Sequence, residues 1–277
     1  MAVSNTVARP TKKKNYNNMA YVFVLPFVVV FLIFSVYPVF RTLQLSFANY
    51  KGFGDVDYIG FKNYLRVLQD KYFWTALLNT VKIWGVNIVL QLAMAFLLTI
   101  AFSDIKFKIK GLGFFRAVYY LPNIIAATSV AFLFKTLLDW RYGTINQILA
   151  KFGVDQPINW LGQPTTARLS ISLIQTWMWF GNSFIMLMAG VQGINKDYFE
   201  AASIDGAGRW KSFFYITLPL LRPILLYVTI TSLIGGIQMF DLPFLMGTVN
   251  GEPLGATQTA ITYLSTFAFA TRPKQTA

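Results

Sequence analysis

The hydrophobic positions of this chain fall in long uninterrupted blocks, not in short alternating stretches. Residues 19–40 are 22 positions without a charge. As a helix rising about 1.5 Å per residue they span roughly 33 Å, enough to cross a hydrocarbon core. Four more blocks follow. They are residues 83–102 (extended back over 73–81 across Lys82), 117–134, 169–194 and 223–240, the last stopped by Asp241. The pattern predicts an all-α integral membrane protein, a polytopic helical bundle with five spans. Between the first two blocks Phe61, Tyr64, Leu65 and Leu68 recur at i, i+3, i+4 and i+7. That spacing predicts a short surface helix lying at the membrane interface. Residues 256–270 are uncharged, but as a helix they would reach only about 22 Å, and no crossing is expected there.

Composition narrows the picture. The chain is 55% hydrophobic and 13% charged, where a soluble domain carries roughly a quarter charged residues. With no cysteine and no histidine, disulfide frameworks, Cys/His metal sites and His-based catalysis are excluded. The net charge of +13 reads as basic loops retained on the cytoplasmic side, not as a nucleic-acid surface, because Lys and Arg are spread over every loop. With the N-terminus inside, the basic tail holds four Lys/Arg and the loops after the second and fourth blocks hold four each. The outer loops hold five and four in longer segments. This places the N-terminus in the cytoplasm. The expected organisation is a basic tail (1–18), a first span with the interfacial helix (19–72), a core (73–247) and an outer segment (248–277).

Residues 200–219, "EAASIDGAGRWKSFFYITLP", are too patterned for a plain connector. Asp197 followed by Glu200 resembles a capping box. A helix is expected over 198–204, stopping at Gly206 and Gly208, with a second over 210–216 and a break at Pro219 before the fifth span. Tyr198, Phe199, Ala201 and Ala202 give the first helix an apolar, low-profile side suited to a groove on another protein. On the residues alone, an interfacial helix ending the fourth span is an equal reading. "GAGRWKS" is not a phosphate loop, since Trp210 stands where the Walker pattern needs glycine.

Glu200-Ala201-Ala202, Gly206, and Ile216-Thr217-Leu218-Pro219 match the spaced EAA signature of binding-protein-dependent ABC importer permeases. The chain resembles the first permease subunit of the maltose and multiple-sugar type. "YIGFKNY" (58–64), Asn79-Thr80, "FFRAVYYLP" (114–122), "GTINQIL" (143–149), "FDLPF" (240–244) and "GATQTAITYL" (255–264) agree with it. The resemblance implies the type I ABC importer transmembrane fold and a non-catalytic subunit in a prokaryotic plasma membrane. It also implies that Glu200, Ala201, Ala202, Gly206, Ile216, Leu218 and Pro219 couple the chain to a separate ATPase. The implied partners are a second, homologous permease, two ATP-binding subunits, an extracytoplasmic solute-binding protein and a carbohydrate substrate. ATP and magnesium would sit on the ATPase and no cofactor on this chain. The family has a sixth span after the "TQT" region. Here "AFATRPKQTA" stands where it would begin, read as a shortened gene, an altered frame or a fragment, with an inactive truncated permease as one outcome.

Polar side chains inside spans are the candidates for a substrate path. Gln175, Trp179 and Asn182 share one face of the fourth span, with Trp177 nearby. Ser232 and Gln238 lie in the fifth span, Asp241 at its outer end, and Asn123 follows Pro122 in the third. Amides, a carboxylate and indole rings are the groups that hold sugar hydroxyls and apolar sugar faces. The same residue types also join membrane helices by hydrogen bonding. By the resemblance, Asn123, Trp177, Asn182 and Ser232 lie near substrate-contacting positions, with differing residue identities. Lys82 is expected to extend toward the interface along its aliphatic stem. Two other readings stand beside the sugar importer: the same fold carrying a polyol or glycerol phosphate, and a membrane-embedded enzyme. For the enzyme, Asp139 and Arg141 are the nearest approach to paired chemistry.

Overall fold

The computed structural model describes residues 17–268 apart from 51, 53, 103–110 and 249. The basic tail therefore lies almost wholly outside the described residues, as do Lys106, Lys108, Lys110 and residues 269–277. Contacts divide the chain into two compact units, Met1–Asp70 and Lys71–Ala277.

In the first unit, α1 (Asn17–Phe31) continues through a π-helical turn (Leu32–Val36) into α2 (Tyr37–Ser46). Residues Tyr21–Ser46 form one candidate span, none of it buried within the chain. A two-stranded antiparallel ribbon follows, β1 (Ala48–Asn49) against β2 (Asp57–Tyr58), and then α3 (Lys62–Gln69). The interfacial helix expected at 61–68 is α3. Asn63 Nδ2 ties it down by donating to the carbonyls of Ser46 and Ala48, at 3.0 and 2.9 Å. Phe61 and Tyr64 touch Phe47 at ring separations of 5.4 and 5.3 Å, while the predicted apolar face as a whole, Leu65 and Leu68 included, stays exposed.

The second unit is built on α4 (Lys71–Phe102) and α8 (Pro164–Gln192). The first is 32 residues without an internal proline. The second opens on Pro164, whose missing N–H falls among donors that a helix leaves unpaired anyway. Serine, threonine and amide side chains on their shared face bond across the interface. Gln91 Nε2 donates to Ser183 Oγ at 2.6 Å and Ser172 Oγ donates to the Ile83 carbonyl at 3.1 Å. Between α4 and α5 (Leu112–Ile124), Phe102 meets Phe115 and Tyr119. α5 crosses α8 so closely that a Cβ on Gly181 would lie 1.8 Å from the Tyr119 carbonyl oxygen. Only glycine permits that approach.

The third hydrophobic block is not one helix. α5 ends at Ile124 and α6 (Ala127–Leu137) departs at 89°. The corner residues Ile125 and Ala126 are extended, with ψ of 134° and 135°, and neither is Gly or Pro. Packing fixes the corner instead: Ile125 sits against the buried cluster of Ile83, Val130, Ile171 and Ile174. Beyond it, α7 (Thr144–Lys151) is held by Asn146. Its Nδ2 donates to the Trp140 and Ile158 carbonyls, and its Oδ1 accepts from Trp160 Nε1 at 3.0 Å.

After α8 come α9 (Lys196–Ile204), α10 (Arg209–Ser212), a π-helical turn (Phe213–Thr217) and α11 (Leu218–Leu220). α12 (Arg222–Ile237), α13 (Asp241–Gly247) and α14 (Ala260–Ala268) follow. The bend into α12 is 71° and falls at Leu221, not at Pro219. Pro223 can give no hydrogen bond to the carbonyl four residues back, so the preceding helix must end before it. The loop between α13 and α14 is pinned from α4: Asn79 Nδ2 donates to the Gly255 and Gln258 carbonyls, and Thr80 Oγ1 accepts from the Ala260 amide. Among the described residues, two helices are individually long and apolar enough to cross a membrane, or four if each bent pair is one span. α8 is of similar length but carries Gln, Asn, Ser and Thr along its buried side.

Candidate functional site

Six of the eight residues expected along a substrate path surround one cavity. It measures about 390 Å³ and lies where α8 and α12 meet α4 and the start of α13. Gln175, Trp179 and Asn182 enter it from α8, as their i, i+4, i+7 spacing requires. Ser232, Gln238 and Asp241 enter from α12 and the turn after it. Among the described residues no partner engages the side chains of Gln175, Asn182, Gln238 or Asp241, so their polar atoms are free for a solute. Ser232 Oγ accepts from Trp84 Nε1 at 3.2 Å.

Trp177 and Asn123 lie outside the lining. Two positions along a helix from both Gln175 and Trp179, Trp177 points to the other side, where it meets Phe134 edge-on at 5.5 Å. Asn123 sits near the α5–α6 corner with its Nδ2 buried and unpaired. Neither is among the residues that line this cavity.

The cavity also draws on α4, through Trp84, Asn87 and Gln91. These were not among the expected residues. Their spacing of three and four along one face of α4 is the signal that marks them, the same one that marks the face of α8. Asn87 and Gln91 are buried and bonded to α8. Asn87 Nδ2 donates to Thr176 Oγ1 at 3.4 Å and Gln91 Nε2 to Ser183. They form the rigid wall. Lys82 is exposed on the opposite side of α4. Asp139 Oδ1 accepts from the amides of Arg141 and Tyr142 at 2.9 and 2.8 Å, so that carboxylate is committed to a turn.

The 195–221 segment forms a second feature. Asn195, not Asp197, caps α9: its Oδ1 accepts from the Asp197 amide at 3.1 Å. The helix thus starts earlier than the Asp-x-x-Glu spacing suggests, because Asn195 adopts the extended conformation of a cap. Glu200 then stands in mid-helix, exposed. At the other end Gly206 has φ +75°. The Ala207 amide donates to the Ala202 carbonyl (2.8 Å) and the Gly206 amide to that of Ser203 (3.2 Å), a glycine-closed C-terminus. Ala201 is exposed and Ala202 half-buried, while Ile204 is 87% exposed. The second half of the motif turns inward. Phe213, Thr217 and Leu221 are buried, and Phe213 meets Phe96 at 5.9 Å. Ile216 and Leu218 are half-buried beside them, and Pro219 is exposed. An exposed helix is thereby joined to the core through a short anchored strut.

Residues 92–272 match the family model described as "Binding-protein-dependent transport system inner membrane component". The chain belongs to this family. As a member, it is a membrane permease, a transport subunit and not an enzyme. It is 33% identical over 269 residues to a lactose transport system permease protein of Rhizobium radiobacter, covering 97% of this chain and 89% of that one. It is also 33% identical over 258 residues to a trehalose/maltose transport system permease protein of Thermococcus litoralis, covering 92% and 85%. Among solved structures, it is similar to a chain of a bacterial ABC transporter involved in the import of the acidic polysaccharide alginate. That match has a TM-score of 0.75 at 25% identity and covers 91% of the permease and 85% of the solved chain.

Proposed function

We propose that this permease is one of two unlike membrane subunits of an ATP-driven importer for a neutral carbohydrate. The observation that carries the reading is the cavity lining. It combines unpaired neutral amides, two indole rings and a single carboxylate, and contains no Lys or Arg. Amide and carboxylate groups suit sugar hydroxyls, and the rings of Trp84 and Trp179 suit the apolar face of a pyranose. A glycerol phosphate or a uronic acid would meet Asp241 with no counter-charge among the described lining residues. The lactose and trehalose/maltose relatives support a saccharide.

In this reading the chain crosses a prokaryotic plasma membrane five times with its N-terminus inside, α5–α6 forming a broken third span. The 195–221 segment then lies in the cytoplasm. Glu200, Ala201, Ala202 and the exposed Ile204 seat in a cleft of one of two ATP-binding subunits, which hold ATP and magnesium. Ile216, Leu218 and Pro219 carry motion to α12 through the anchored strut. A solute-binding protein delivers substrate on the outer side and a second permease closes the path.

The test is reconstitution with the partner subunits in proteoliposomes, measuring uptake and ATP hydrolysis with neutral and uronic oligosaccharides. Stimulation by a neutral saccharide with its binding protein is expected. Stimulation only by uronates or polyol phosphates would overturn the reading.

A further inference from the structure

A second hollow of about 670 Å³ lies between the end of α8, the start of α9 and the start of α12. It shares two lining residues with the polar cavity, Met186 on α8 and Tyr227 on α12. Both stand about one helical turn, roughly 6 Å, from cavity residues toward the 195–221 segment: Met186 four positions after Asn182, Tyr227 four before Thr231.

The chemistry changes at this layer. On one side are Gln175, Asn182, Ser232 and Gln238. On the other the wall is mostly aliphatic, with Ala189, Gly190, Ile194, Pro223 and Ile224; its polar members are Asn195, whose amide is bonded to Asp197, and the Tyr198 hydroxyl, so it offers a hydrophilic solute few groups to hold. The two side chains between them are suited to a movable plug. Methionine is unbranched and repacks at little cost. Tyrosine is large, and among the described residues the Tyr227 hydroxyl has no partner that would fix it. Tyr227 also rides on α12 just beyond the 71° bend at Leu221, so any change in that bend displaces it relative to Met186 on α8.

We infer that Met186 and Tyr227 form the constriction separating the solute-holding cavity from an apolar exit vestibule beside the coupling segment. The inference rests on the proposed transport function, since it assumes that the polar cavity holds the solute.

The chain has no cysteine, so an introduced one labels uniquely. Asn182→Cys reports the cavity and Gly193→Cys the vestibule, in the assembled complex with cysteine-free partners. A membrane-impermeant cationic thiol reagent is added from the coupling-segment side without nucleotide. Gly193→Cys should react more than an order of magnitude faster than Asn182→Cys. Adding Met186→Ala or Tyr227→Ala should bring Asn182→Cys to within a few-fold of Gly193→Cys, while Tyr227→Phe leaves it slow. Gln175→Cys serves if Asn182→Cys does not assemble. Equal reactivity of cavity and vestibule cysteines, or a cavity rate unmoved by both alanine variants, would overturn the inference. Protection of Asn182→Cys by a neutral saccharide is read separately: its loss with the barrier intact would count against the transport reading, not against the constriction.

Discussion

The α4–α8 interface and the 195–221 segment both serve one proposed machine but are stabilised by opposite means. At the interface, buried side chains from distant parts of the sequence bond and interlock. Gln91 and Ser183 are 92 positions apart, and beside that interface Gly181 lets the backbones of α8 and α5 touch. In the segment, α9 is exposed and its shape comes from local backbone bonds, the Asn195 cap at one end and the positive φ of Gly206 at the other. A packed interface resists volume changes. An exposed joint resists only changes that forbid its backbone. The polar cavity therefore sits on a wall that does not yield, and the joint proposed to transmit motion is held in shape by a few dihedral angles.

The strongest way to break the packing around α8 is Gly181→Val, at its crossing with α5. Its side chain must displace the Tyr119 backbone, at a cost of about 3 kcal/mol or more. Loss of monodisperse complex on size exclusion is the expected result, and normal assembly would refute the close crossing. Gly206→Pro comes next. Proline holds φ near about −65°, against +75° here, yet no atom lies within 4 Å of the added Cβ. The complex should assemble with ATP hydrolysis separated from uptake, and unchanged uptake would sink the joint. Asn182→Ala removes an unpaired amide that lines the cavity. It should raise the half-saturating solute concentration about tenfold, the equivalent of one hydrogen bond of about 1.4 kcal/mol, without altering thermal stability. Gln91→Leu is the mildest. Interhelical hydrogen bonds in membranes average about 0.6 kcal/mol, so a small fall in the unfolding midpoint is expected with uptake retained.

The sequence made α4 and α8 plain, because apolar length survives any packing detail. It also placed Gln175, Trp179 and Asn182 on one face, since helical periodicity settles that geometry. The corner at Ile125–Ala126 was not legible: no glycine or proline stands there, and a buried cluster assembled from distant residues sets it. The bend at Leu221 was misassigned to Pro219 because two prolines flank it and the second one ends the helix. Asn87 and Gln91 were legible by the rule that found Asn182. They stand in a block whose apolar residues dominate the pattern.

Asn79 and Thr80 bond to a segment 176 to 180 positions later, which gives the chain a timetable. During synthesis α4 forms with a carboxamide whose partners do not yet exist, and it keeps that vacancy until residues 255–260 have been made. Chains halted before Gly255 should be cleared faster than chains halted after Ala260, and pulse-chase of the two sets measures the difference.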